Sequence, residues 1–224
     1  MRSVATRSRR PHPGLGLVAA ALLGAWLAGG LPVAARGESP PWQPLFDGHS
    51  LGQWRSTPFG GEGEVVVADG CVRIGRGSEL SGITWGGRFP TSDYEVSLEA
   101  RRDDGIDFFC GLTFPVGGES CSLIVGGWGG TVVGLSSIDG RDASDNATTQ
   151  SRSFADDRWY RVRVRVTAEA IGCFIDDEQV VDQPRVGVRF SVRDEVLPSR
   201  PLGIATYATA ASLRGIRWRA VEPP

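Results

Sequence analysis

Three aspartates stand three residues apart at Asp139, Asp142 and Asp145, and Asn146 follows directly. Oxygen ligands at this density could hold Ca²⁺, although the spacing is not that of an EF-hand loop. Asx-turns in a solvated loop use the same residue types. Just upstream, in LIVGGWGGTVVG, five glycines fall within the nine residues 126–134 around Trp128. With only Gly127 and Gly129 beside it, Trp128 has no bulky sequence neighbour to cover its indole, and an indole face can stack on a sugar ring. The missing Cβ atoms also let a ligand approach the backbone. The competing reading is a core tryptophan on a twisted, glycine-rich strand. A phosphate loop is excluded: the Lys and Ser/Thr of a P-loop are absent, and no helical pattern or βαβ unit surrounds the glycines. Asn146-Ala147-Thr148 is a glycosylation sequon.

Elimination narrows the remaining chemistry. Every basic side chain is arginine, so Schiff-base and lysine-nucleophile mechanisms are ruled out. Of the two histidines, His12 lies in the N-terminal leader described below, leaving His49 in the turn-like stretch FDGHSLGQW. A Ser-His-Asp or Cys-His arrangement would have to use it, and its setting reads as an exposed turn. The four cysteines show no CxxC spacing and so no zinc site. Acid–base work therefore falls to carboxylates. Glu99 and Arg101 share one face of an alternating run; an adjacent arginine lowers a carboxyl pKa and suits it to act as base. Trp159, Arg161, Arg163 and Arg165 share one face of another run. A solvated outer sheet is the competing account of both faces, since antiparallel sheets often leave one face wet.

Strands must position these residues, because no stretch after the leader sustains a 3.6-residue apolar period, whereas period two recurs. Residues 65–74 read as a hairpin around Asp69-Gly70. In YEVSLEAR, Tyr94, Val96, Leu98 and Ala100 read as buried; in WYRVRVRV, Tyr160, Val162, Val164 and Val166 do. Residues 171–175 and 179–182 form a further hairpin around Asp176-Asp177-Glu178, and 202–207 and 213–221 close the chain. Residues 183–201, with three prolines, read as a long connection. Short strands between turn signals predict an all-β antiparallel sandwich. Glycine, about twice its usual ~7% share, fits the turns and bulges of such a fold.

Residues 1–35 read as a secretory signal: a basic start, an apolar run over 14–31, and Val33 and Ala35 at the cleavage positions. An uncleaved anchor is the alternative. This predicts an exported, periplasmic or extracellular protein, with a short linker over 36–43 and one domain over 44–222. Cleavage near Ala35 leaves 189 residues, enough for one core. It removes four arginines and takes the net charge from −2 to −6. That balance argues against nucleic acid or an anionic membrane as the main partner. Cys71, Cys110, Cys121 and Cys173 could form two disulfides in an oxidising compartment, with buried free thiols as the alternative. A tight turn at Gly117-Gly118 would set Cys121 opposite Phe114 rather than Cys110.

On these residues the chain resembles the 3-keto-disaccharide hydrolase family, whose fold is the concanavalin A-like jelly roll. LFDGHSLGQW resembles the family's opening, with Phe46, Asp47, Gly48, Leu51 and Trp54 in matching places. YEVSLEAR resembles its aromatic strand ending in Glu-x-Arg, and RWYRVRVRV with CFIDDEQVVD its paired late strands. LGIATYATAASLRGIRWR resembles its closing pair. The family's middle strand carries a Gly-aromatic-Glu-x-Gln pattern, whereas SCSLIVGGWGG here has neither Glu nor Gln. The resemblance implies a carbohydrate ligand, and hydrolase or lyase chemistry on sugars oxidised at carbon 3. In that reading Glu99 is the base, Arg101 the stabiliser and Asp139 or Asp142 the acid. Trp128, Gly127, Gly129, Trp159 and Asn146 then contact the sugar, and no cofactor is required, Ca²⁺ at Asp139, Asp142 and Asp145 being the one option. The alternatives are a non-catalytic glycan-binding module and an interaction domain docking through the Trp159/arginine face.

Overall fold

The period-two runs pair into two antiparallel sheets in the computed structural model, which describes residues 40–222. The expected signal segment and its cleavage point lie outside the described residues. The strands are β1 (Gln43–Pro44), β2 (Trp54–Ser56), β3 (Val65–Ala68), β4 (Cys71–Ile74), β5 (Leu80–Trp85), β6 (Tyr94–Asp104), β7 (Cys110–Val116), β8 (Glu119–Gly126), β9 (Val132–Ser136), β10 (Gln150–Ser151), β11 (Tyr160–Val166), β12 (Ala170–Ile175), β13 (Glu178–Pro184), β14 (Gly203–Tyr207) and β15 (Ala210–Ala220). The first sheet runs β13-β12-β11-β6-β15-β4-β3, with β1 also on β15; the second runs β10-β9-β8-β7-β14-β5-β2. Gln43 and Pro44 pair with β15, and the Trp42 ring lies under Arg217 and Arg219, so the fold begins inside the expected linker. Among the described residues no helix is long and apolar enough to cross a membrane.

Side-chain alternation builds the core. Tyr94, Val96, Leu98 and Ala100 of β6 and Tyr160, Val162, Val164 and Val166 of β11 are all buried, facing Cys110, Leu112 and Phe114 of β7 and Leu123 and Val125 of β8. The Tyr94 hydroxyl crosses between the sheets and donates to the Pro115 carbonyl at 2.6 Å. Two hairpins turn as their residue types demand. Asp69-Gly70 and Asp176-Asp177 hold both central residues at positive φ, the geometry of a two-residue turn that matches strand twist. β15 contains one bulge. Glu99 pairs with Arg214 and Ser97 with Arg217, so Gly215 and Ile216 together oppose Leu98. Gly215, at φ 60, absorbs the extra residue. Without it, strand parity would turn Arg217 and Arg219 into the core.

Phe114 stands opposite Cys121 across the β7–β8 hairpin, and all four cysteines are buried free thiols. Burial pushes the Cys110 and Cys121 thiols up to about 12, and Cys173 well above its ordinary value. Since the thiolate is the reactive form, a disulfide-exchange reagent at about pH 8 is expected to leave these three untouched in the native protein and to titrate all four after denaturation. Rapid native labelling of more than one thiol contradicts this packing.

Candidate functional site

The outward face of the second sheet carries unusually small side chains. Strand register aligns Thr84, Gly203, Thr113, Ser122 and Ser136 in one row, and Gly82, Ala205, Gly111, Ile124 and Gly134 in the next. Their partners one residue along, such as Leu123 and Leu135, fill the core. Glycines in these rows let neighbouring segments lie close against the sheet: a Cβ at Gly134 would meet the Ala143 carbonyl, one at Gly203 the Ser199 carbonyl and one at Gly111 the Phe108 ring. Between these segments lies a hollow of about 500 Å³, with Ser122, Ile124 and Ser136 in its lining. Thr113 and Ser122 share a hydroxyl hydrogen bond at 2.8 Å, so the floor offers polar oxygens as well as space.

Aromatic rings form one rim. The glycine-rich stretch after β8 is a tight connection to β9, closed by the Thr131 N–H donating to the Gly127 carbonyl at 3.1 Å. Trp128 sits in left-handed backbone at φ 47, ψ 57, between Gly126 at φ 78 and Gly129 at φ 82. At Gly130, φ is 101 and a Cβ would lie 2.8 Å from the Ile106 carbonyl, so a side chain is excluded twice over. This backbone lifts the Trp128 ring to the edge of the hollow, where the residue is 44% exposed. Asp107 secures it: one carboxylate oxygen accepts the Gly129 N–H at 3.0 Å and the other the Phe108 N–H at 2.8 Å. Phe108 and Tyr207 continue the rim, with ring centres 6.0 Å apart.

The opposite wall comes from the connection 183–201. A short 3₁₀ turn, Asp194–Ser199, packs against the sheet, where Thr84 donates to the Pro198 carbonyl at 3.0 Å. Arg193, just before it, bonds both Glu195 and Asp142 and so joins this turn to the loop after β9. Asp142 also accepts from the Ser137 hydroxyl at 3.3 Å. The Glu195 bond, with the charge of Asp142 adding to it, pushes the Arg193 guanidinium above its already high value. Burial acts to raise Glu195, but its backbone bond and Arg193 outweigh it and hold its carboxyl below the usual range. Both groups are therefore charged at neutral pH. Glu79 lies at the edge of the hollow and, among the described residues, has no side-chain hydrogen bond or ion-pair partner.

The structure divides the sequence-predicted residues between two surfaces. Trp128, with Gly127 and Gly129 in its turn, belongs to the hollow, and Asp142 reaches it through Arg193. Glu99, Arg101 and Trp159 do not: they lie on the outward face of the first sheet, across the core. Parity dictates this, because Leu98 and Ala100 point inward and Glu99 and Arg101 must then point away. Glu99 is bonded by Arg214 at 2.9 Å and Arg101 by Asp103 at 2.6 Å, while both Arg101 and Arg214 stack on Trp159. The three aspartates also diverge: Asp139 accepts the Arg189 N–H at 2.9 Å, Asp142 takes Arg193, and Asp145 faces Arg141 at 3.8 Å. No group of three or more His, Cys, Asp or Glu side chains converges as a metal site among the described residues. Asn146 is consumed by its own loop, donating to the Leu135 and Asp142 carbonyls and accepting from Thr148. His49 is an exposed turn residue, as expected.

Sequence reasoning missed Glu79, Asp107, Phe108, Arg193, Glu195 and Tyr207. The available signal was weak: an irregular, proline-marked connection carrying charge, of the kind that often lines sites.

Across residues 41–221 the chain matches the 3-keto-alpha-glucoside-1,2-lyase-like domain. It belongs to that family. No curated protein matches this lyase-like domain. Among solved structures it is similar to a Bacillus subtilis protein of unknown function with a galectin-like fold. That match has TM-score 0.58 and 11% identity, covering 84% of this chain and 98% of that one. A Crh5 transglycosylase in complex with NAG matches at TM-score 0.55 and 14% identity, covering 83% and 86%. Carbohydrate-binding module CBM66 from Bacillus subtilis matches at 0.52 and 13%, covering 75% and 96%. These likenesses establish a galectin-like jelly roll, and the family places the domain among carbohydrate-related proteins.

Proposed function

We propose that this lyase-like domain is an exported protein that takes a 3-keto-glycoside into the hollow and cleaves its glycosidic bond by elimination. The observation that supports this most directly is the hollow itself, with an exposed indole at its rim, a floor of small and hydroxyl residues, one arginine and an unpaired carboxylate. Trp128 stacks on the sugar face. The 3-keto group acidifies the hydrogen on carbon 2. Glu79 removes that proton, and Arg193 stabilises the enolate oxygen. The enolate then collapses, the bond from carbon 1 to the glycosidic oxygen breaks, and Tyr207 supplies the departing oxygen with a proton. Addition of water across the new carbon 1–carbon 2 double bond releases the free 3-keto-sugar. The roles the sequence suggested for Glu99 and Arg101 thus pass to Glu79 and Arg193. The family membership and the signal-like leader support the substrate class and the export.

One observation favours a second reading, a binding module without turnover. Asp107, Asp142 and Glu195 are already committed to the turn amides or to Arg193, which leaves only Glu79 free. Incubating the protein with a 3-keto-disaccharide and following release of 3-keto-sugar separates the two. Turnover is expected in the wild type and a loss of about a hundredfold or more in Glu79→Gln. Trp128-dependent binding without turnover establishes the module, and absence of both signals overturns the sugar-site reading.

A further inference from the structure

The face of the first sheet, across the core from the hollow, presents an ordered field of cations. Because the Gly215 bulge rephases β15, Arg214, Arg217 and Arg219 all point outward. Arg161, Arg163 and Arg165 of β11 and Arg101 of β6 join them. Against these seven arginines, β6 contributes Glu95, Glu99 and Asp103 to the same face. Glu95 is shared by Arg163 at 2.8 Å and Arg219 at 2.5 Å. Glu99 and Asp103 hold Arg214 and Arg101 as described, and Asp177 of the β12–β13 turn takes Arg161. Arg165 and Arg217 are exposed and, among the described residues, bonded to no carboxylate. Glu95, which faces Arg165 across the ladder, is already committed, and Asp182 stands beyond the bare Gly172. The surplus of positive charge is concentrated here although the chain as a whole is acidic.

We propose that this face binds a carboxylated polysaccharide, as a second carbohydrate site separate from the hollow. The cations repeat. Along β11 they recur every second residue, about 7 Å apart, and the two unpaired ones, Arg165 of β11 and Arg217 of β15, stand two strands and two residues apart, about 12 Å on ideal sheet spacings. Two free forked donors on a face rich in further guanidinium groups suit a chain of regularly spaced carboxylates, which guanidinium groups bind bidentately. The anchors of a folded protein partner are most often aromatic side chains or arginines buried at the centre of the contact. The aromatic rings here offer none, because guanidinium groups already cover them: Arg217 and Arg219 lie 4.8 and 4.6 Å from the Trp42 ring centre, and Arg163 lies 3.8 Å from that of Phe174.

The test uses the full chain with polygalacturonate, and with dextran and poly-glutamate as comparisons. The wild type is expected to bind polygalacturonate but not dextran, and to weaken as salt rises. The double variant Arg165→Ala/Arg217→Ala is expected to lose about tenfold in affinity, since it removes two exposed charge-assisted contacts. Trp128→Ala is expected to leave this binding unchanged, which separates it from the hollow. No binding to polygalacturonate, or no effect of the double variant, overturns the proposal. Equal affinity for poly-glutamate also overturns it and assigns the face to an acidic polypeptide.

Discussion

Trp128→Ala is expected to weaken saccharide binding in the hollow by about ten- to a hundredfold, as calorimetric titration would measure it, with little change in melting temperature. The affinity effect follows from losing the largest apolar surface on the rim together with its stacking contact. The small stability effect follows from the ring's exposure, since almost half of Trp128 is already in water. Backbone strain is not relieved, because alanine meets the same left-handed φ of 47 that tryptophan occupies. A companion variant tests how the ring is held. Asp107→Ala leaves the Gly129 and Phe108 N–H groups without their carboxylate and is expected to weaken binding as well, whereas Asp107→Asn, keeping one acceptor oxygen, is expected to recover part of it. Unchanged affinity in Trp128→Ala removes the indole from any sugar site.

Glu95→Ala is expected to cost about 3–5 kcal/mol, one of the largest losses available from a residue outside the apolar core. Sequence alternation places Glu95 on the open side of its strand. The structure leaves it only 2% exposed, roofed by Arg163 and Arg219, which both bond its carboxylate. Removing the acid leaves two partly buried guanidinium groups facing each other with nothing between them. In a domain of this size the loss corresponds to a fall in melting temperature on the order of 10 °C. Glu95→Gln, which keeps the shape and one acceptor, is expected to fall less. A shift of under about 2 °C in Glu95→Ala would show that water replaces the pair at little cost.

The two variants sit on opposite faces of the sandwich, and that separation bears on the whole functional reading. Glu99 and Arg101, the pair expected to do chemistry, share the face of Glu95. Their sequence signals were the alternation and the Glu-x-Arg ending of the resembled strand, and alternation reports only that a side chain leaves the core. A sandwich has two outer faces, and the hollow lies on the one these residues do not reach. Glu79, Arg193 and Tyr207 come from three distant parts of the chain, and nothing in their local sequence marks them as neighbours.

What the sequence determined by itself was local: strand parity, the Asp-Gly and Asp-Asp turns and the pairing of Cys121 with Phe114. Each depends on side chains within a few residues of one another, where backbone sterics and the two-residue period suffice. The tertiary structure alone decided that Ser122, Ile124 and Ser136 line a hollow between the Trp128 turn and the 183–201 connection, that Arg193 reaches Asp142 across the wall, and that the Gly215 bulge turns two more arginines outward. These outcomes depend on contacts between segments up to more than a hundred residues apart, and within the ladders a one-residue slip would send the slipped strand's side chains to the other face.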